Sequence, residues 1–263
     1  MTLKDFIDSA RSPTFHMHSF VESRIRRLCR RRDNSDWMWY NTDHLTRAYP
    51  SGKRVDSSNY SPIPAWAMGC QMVALNTQHP DYALVLNDGR FRVNGSCGYV
   101  LKPPLHIKAV PTAPVSIWTV LIKVLSGTCI PKPRGDKKAK FIDPFVKVCL
   151  YDIPVTGGNE IISSFSTGVV NGNGYFPIWN HDFFMFRVEN PLVSMLSFSV
   201  HDKDDECLAS ASIPIDCLRV GYRSVRLFDA MNERWGPYSC CSLLVEIEIR
   251  KRDRSSPSTS REF

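Results

Sequence analysis

No stretch of the 263 residues approaches eighteen uninterrupted apolar positions, so the sequence offers no membrane-spanning helix. The amino terminus, Met1-Thr2-Leu3-Lys4-Asp5, has neither the apolar run of a signal peptide nor a glycine at position two for myristoylation. Membrane contact, if any, is expected to be peripheral. The nine cysteines include no C-x-x-C pair and are odd in number, which argues against a disulfide framework and a zinc site and fits a reducing, cytosolic compartment. The seven histidines, at positions 16, 18, 44, 79, 106, 181 and 201, have no metal-ligand spacing. Internal repeats are absent.

What is present is enough apolar residue, 43%, to build real cores, and a net charge of +7. Six of those seven excess cations fall in residues 1–110. A basic first segment admits nucleic acid, anionic lipid or a phosphorylated ligand. Nucleic acid is disfavoured, because no aromatic stacking motif is interleaved with the basic run Arg24, Arg26, Arg27, Arg30, Arg31 and Arg32. That run reads either as a solvated helix face or as an attraction for anionic lipid.

Four prolines between Pro103 and Pro114 break regular structure and place a linker at 104–114. Residues 251–263 are rich in Arg and Ser without apolar period and are expected to be a disordered tail. In 1–103 strand-like and helix-like patterns alternate, which predicts a parallel α/β layout. An apolar alternation lies near Leu3, Phe6 and Ile7, and β-compatible runs at His44–Tyr49, Met72–Asn76 and Gly98–Leu101. Ser19-Phe20-Val21-Glu22 has the form of a capping box, which predicts a helix starting at Ser19 with Val21, Ile25 and Leu28 on one face. In 115–250 short β runs dominate, at 117–125, 145–151, 183–188, 195–200, 211–215 and 243–249, which predicts an antiparallel sandwich. Trp66 and Trp179 are expected in the cores.

The stretch 56–76, DSSNYSPIPAWAMGCQMVALN, and the stretch 88–103, DGRFRVNGSCGYVLKP, resemble the Y half of the eukaryotic phosphoinositide-specific phospholipases C. HSFVES at 18–23 and RAYPSGKRVDSSNY at 47–60 extend the similarity. Beyond the linker, LIKVLSGTCIPKP at 121–133, IDPFVKVCL at 142–150, NGNGYFPIWNHDFFMFRV at 171–188 and IPIDCLRVGYRSVRLFD at 213–229 resemble the C2 domain that follows in that family. The resemblance implies the second half of a TIM-type barrel followed by a C2 sandwich. It also implies that the catalytic histidines and the carboxylates holding the catalytic calcium belong to the X half, of which these residues contain no matching segment; His16 and His18 do not replace that pair.

By the same resemblance, Ser19 contacts an inositol phosphate, while Arg47 and Tyr49, in the R-x-Y-P element, bind a ring phosphate and stack on the inositol ring. Independently of it, Arg47 and Tyr49 are two apart in a strand and share a face, and a guanidinium fork suits phosphate as Lys does not. Pattern alone leaves Ser19 equally readable as a simple helix cap. The resemblance further implies calcium ligands in the C2 loops: Asp143, the pair Asp202 and Asp204, and Asp136 as a fourth. A shortened loop after Asp204, with Glu206 in the last acidic position, keeps open the alternative of weakened or absent calcium binding, as does the ordinary preference of Asp for turns.

The function implied is that of the carboxy-terminal part of an enzyme hydrolysing phosphatidylinositol 4,5-bisphosphate to diacylglycerol and inositol trisphosphate through a cyclic phosphate. The partners expected are phosphoinositide-containing membranes and an X half supplied in cis or in trans, with calcium as cofactor and a cytoplasmic, membrane-peripheral location. The alternative is a non-catalytic lipid-binding module or inactive remnant.

Overall fold

The computed structural model describes residues 15–31, 35–107, 116–132 and 141–252. Leu3, Phe6, Ile7, Arg32 and Asp136 therefore lie outside the described residues, as do most of the linker and all but the first two residues of the expected tail.

Three parallel strands, β1 (Met17–Val21), β2 (Leu45–Tyr49) and β3 (Met72–Val73), form one sheet in that order. Period-two alternation gives the sheet two unlike faces. Phe20, Thr46 and Ala48 turn inward, against α1 (Glu22–Cys29), α2 (Ser35–Asp43) and α3 (Ile63–Ala67), whereas Met17, Ser19, Leu45, Arg47 and Tyr49 lie on the exposed face. Helices cover one face only, as in one wall of a barrel. In α1, Ile25, Leu28 and Cys29 are buried at helical spacing, and Arg26, Arg27 and Arg30 stay exposed. The described part of the basic run on α1 thus lies on the exposed face of an amphipathic helix.

The N-cap lies two residues later than the capping box predicts. Ser19 is inside β1, Val21 is the N-cap without a side-chain bond, and Glu22 is the first helical residue. The reason is the use made of Glu22, whose carboxylate accepts from Arg54 and from the Ser51 N–H at 3.0 Å instead of turning back to cap its own helix. Gly98–Leu101, expected as a strand, joins no ladder among the described residues, and Tyr99 and Leu101 are exposed.

The second unit is a sandwich of two four-stranded antiparallel sheets. One has β10 (Gly221–Arg226), β11 (Ser242–Arg252), β4 (Ile117–Thr128) and β7 (Phe184–Val188) in that order; the other has β6 (Ile161–Ser166), β5 (Phe145–Asp152), β8 (Met195–His201) and β9 (Cys207–Pro214). Inward alternation of Val120, Ile122 and Val124 with Val146, Val148 and Leu150 from the facing sheet makes the core. β11 runs through Arg252, paired with Ile117, so the sandwich takes in the first two residues of the expected tail. Residues 104–107 of the expected linker also pack: His106 is 2% exposed, and its Nε2 donates to the Ala67 carbonyl at 3.0 Å.

The two units share packing. Helix α4 (Tyr82–Phe91), capped by Asp81 through the N–H groups of Ala83 and Leu84, lies on β9. The approach is so close at Gly89 that a Cβ there would sit 2.1 Å from Ser212 Oγ, which itself donates to the Val85 carbonyl at 2.6 Å. Ile153, Val193 and Met195 of the sandwich are buried in the same cluster as Trp66 and Leu86 of the first unit. Asp152 holds that edge together, accepting from the N–H groups of Ile153, Glu189 and Asn190 and from the Ser194 hydroxyl. Such an interface behaves as core rather than as a loose domain contact.

Candidate functional site

Parallel register places Ser19 directly beside Arg47, and Val21 beside Tyr49. Ser19, Arg47 and Tyr49 thus share the exposed face of the sheet. The Arg47 guanidinium carbon is 5.9 Å from the Tyr49 ring centroid, a cation–π arrangement. Arg47 forms no ion pair with a carboxylate among the described residues, so its planar fork of donors is available to an external anion. A hydroxyl, a guanidinium and an aromatic ring on one surface can together grip a phosphorylated polyol: two donors for phosphate oxygens and a flat face for the ring.

What fixes these strands is the ion pair behind the loop that follows β2. Glu22, 5% exposed, takes both arms of Arg54, with Nη2 to Oε2 at 2.8 Å, and is approached by Arg26 at 3.3 Å. Burial alone would raise the Glu22 carboxyl, but Arg54, the Ser51 N–H and Arg26 outweigh it and hold it below the usual carboxylate range. Sequence reasoning assigned Glu22 to the helix cap and gave Arg54 no role; the signal available was the position of Arg54 inside the RAYPSGKRVDSSNY stretch. His18, on the opposite side of β1, bonds Tyr40 Oη at 2.6 Å and does not join Arg47.

A cavity of about 770 Å³ lies elsewhere on this open unit, lined among others by Leu45, Met72, Phe91, Tyr99 and Leu101. With the exposed Met17 and Leu45 it marks apolar surface that a closed barrel would cover.

At one end of the sandwich the Asp143 N–H donates to Asp202 Oδ1 at 2.8 Å, so two of the four expected calcium ligands meet. Both oxygens of Asp143 are already engaged, Oδ1 by the Gly172 N–H at 2.7 Å and Oδ2 by Lys203 Nζ at 2.7 Å. The Lys203 ammonium beside it, with the Gly172 N–H, holds the Asp143 carboxyl below its ordinary range. Asp204 forms no ion pair with Lys203 among the described residues, although its charge acts on that ammonium. Among the described residues no group of three His, Cys, Asp or Glu side chains is placed to hold a metal; Asp136, the fourth expected ligand, lies outside them.

Residues 1–105 match the family described as phosphatidylinositol-specific phospholipase C, Y domain, and residues 118–229 match the C2 domain family. The chain belongs to the phosphoinositide-specific phospholipase C family. It is 35% identical over 249 residues to 1-phosphatidylinositol 4,5-bisphosphate phosphodiesterase delta-4 of Macaca fascicularis, a match covering 90% of this chain and 30% of that protein. It is 35% identical over 251 residues to the human delta-1 phosphodiesterase, covering 90% and 32%. A third relative, inactive phospholipase C-like protein 2 of Mus musculus, is 37% identical over 230 residues, covering 82% and 20%. The crystal structure of L. pealei PLC21 superposes with a TM-score of 0.79 at 31% identity, over 93% of this chain and 31% of that one. The chain thus spans about a third or less of the length of the phospholipases C it matches, and its Y unit and C2 sandwich are the carboxy-terminal elements of that fold.

Proposed function

We propose that the chain acts as the carboxy-terminal part of a phospholipase C that hydrolyses phosphatidylinositol 4,5-bisphosphate to diacylglycerol and inositol trisphosphate. The observation that carries this reading is the juxtaposition of Ser19, Arg47 and Tyr49 on an exposed face of parallel sheet. Arg47 grips a ring phosphate through its two-pronged donor set, the Ser19 hydroxyl contacts a phosphate oxygen, and Tyr49 lies against the inositol ring. The general acid and base, and the catalytic calcium that stabilises developing charge, come from an X half that packs on the apolar face around Met17 and Leu45. The contribution of this chain is orientation and recognition of the substrate. No helix among the described residues is long and apolar enough to cross a membrane; the C2 sandwich is the docking element in this reading, with lipid reached from the cytoplasmic surface.

Similarity to the inactive phospholipase C-like protein supports a second reading, a lipid-binding module without turnover. Both readings use the same phosphate grip and differ in whether a competent X half joins it.

The grip is tested by Arg47→Lys in the enzyme reconstituted with an X half. Loss of a charge-assisted fork costs about 1.5–3 kcal/mol, roughly one to two powers of ten in kcat/KM, on the bisphosphorylated lipid. The unphosphorylated lipid, which offers no ring phosphate, should be nearly unaffected. Equal loss on both would assign Arg47 a structural role.

A further inference from the structure

The outer face of the sheet β6-β5-β8-β9, turned away from the sandwich core, carries Ser199 and His201, two positions apart on β8. The His201 side chain is only 12% exposed. Its Nε2 lies 2.8 Å from Ser199 Oγ, and its Nδ1 lies 3.1 Å from both the carbonyl oxygen and Oδ1 of Asp205. Carbonyl and carboxylate oxygens only accept, so the ring proton rests on Nδ1 and Nε2 accepts from the Ser199 hydroxyl. Burial holds the imidazole below its ordinary range, with Lys147 acting in the same sense and Asp205 opposing both, so the ring is a free base at neutral pH. A serine that donates to the free nitrogen of an oriented imidazole has the form of an activated nucleophile for acyl transfer.

Strand register supplies the neighbours such a nucleophile needs. Ser199 is flanked directly by Lys147 on β5 and by Ser210 on β9. Side chains opposed in this way stand about 4.5–5.5 Å apart at Cβ, so an ammonium and a hydroxyl, both donors, border Ser199 from its two sides. Lys147 gives one N–H to Asp205 Oδ1 and keeps two. Ser199, His201, Lys147 and Ser210 line a cavity of about 330 Å³ between the sheet and the start of α4, whose other walls include Val85, Tyr151, Leu208 and Ala209. Lys147 is the one cation among its described lining residues and is already met by Asp205, so the cavity suits a neutral ester with a short apolar acyl chain rather than a phosphate ester.

We propose that this cavity is a hydrolytic site separate from the phosphate grip, with Ser199 as nucleophile, His201 as general base and acid, and short-chain carboxylic esters as its substrates. Ser199 Oγ bonds to the acyl carbon while its proton passes to His201 Nε2, and Lys147 and Ser210 donate to the carbonyl oxygen as it gains charge. The bond from the acyl carbon to the alcohol oxygen then breaks, and the alcohol leaves with that proton. A water, deprotonated by His201, adds to the acyl carbon, releasing the carboxylic acid and returning the proton to Ser199. The test incubates the full chain with a fluorophosphonate, whose phosphorus an activated serine attacks with loss of fluoride, and locates the adduct by mass spectrometry. Hydrolysis of p-nitrophenyl acetate is followed in parallel. The adduct is expected at Ser199, with hydrolysis lost in Ser199→Ala and both reactions slowed at least about a hundredfold in His201→Gln. The unsubstituted chain decides the matter by itself: absence of an adduct at Ser199 overturns the proposal whatever the variants do. Labelling of Ser199 at an unchanged rate in His201→Gln, or hydrolysis unchanged in Ser199→Ala, overturns it equally.

Discussion

Ser19 and Arg47 are 28 positions apart in the chain and adjacent in space because parallel pairing sets β1 against β2 without offset. Holding that register falls to Glu22 and Arg54, one at the end of β1 and the other in the loop after β2. Arg54→Ala leaves a carboxylate buried with only Arg26 and one N–H. It should cost about 3 kcal/mol, the low end for a broken buried pair because Arg54 is itself partly exposed, read as a fall in unfolding free energy. His106 makes a different residue-scale prediction. Burial pushes it down to about 4 from an ordinary 6.5, so it is neutral when folded, with Nε2–H on the Ala67 carbonyl. As pH falls from 6.5 towards 4 the unfolded chain binds the proton first, and stability declines by up to about 3 kcal/mol; above that window His106 contributes no pH dependence. His106→Gln, which keeps an N–H donor, should flatten the pH dependence of the melting temperature in this window relative to the unsubstituted chain. That Arg47 and Tyr49 share one strand face was legible from their spacing, whereas their assignment to a substrate site came only from the resemblance. The role of Glu22 was not legible, since a side chain that serves a distant arginine looks locally like a capping residue.

Among elements, those with one buried face were legible and those without an apolar stripe were not. Val146, Val148 and Leu150 alternate inward along β5, and Phe184, Phe186 and Val188 along β7, so periodicity alone marks both strands. β6, with sequence IISSFS, and β10, with GYRSVR, are sheet edges exposed along most of their length, and ladder bonds rather than an apolar stripe define them. Gly98–Leu101 shows the converse: its apolar residues suit a strand, but among the described residues no partner strand lies beside it. The contact of α4 with β9 has no sequence signal beyond a glycine in a helix, which only the close approach to Ser212 explains. Gly89→Ala should therefore wedge the two units apart at a cost of about 1–3 kcal/mol, although alanine favours helix. Protease susceptibility between residues 107 and 116 that rises in this variant would support the wedge; an unchanged or raised melting temperature would remove it.

At the scale of the whole molecule, one unit has a closed core and the other does not. The sandwich pairs two sheets face to face, whereas the parallel sheet has helices on one side and apolar residues standing free on the other. A fragment of residues 1–107 loses Ile153, Val193 and Met195 from its core and exposes α4, so it should aggregate, while 116–252 should unfold cooperatively by itself. The barrel half and the sandwich could both be read from the sequence; their shared core could not, because its members are separated by the linker and carry no common pattern. The central claim is that this chain recognises the phosphorylated ring and takes its acid–base chemistry from a partner half-barrel. Its most direct measurement is release of inositol trisphosphate from vesicles containing phosphatidylinositol 4,5-bisphosphate, by the purified chain alone and after addition of a matching X half. The account predicts no release from the chain alone and release on addition that falls at least about tenfold with Arg47→Lys. Turnover by the chain alone, lost on changing Arg47, would contradict it.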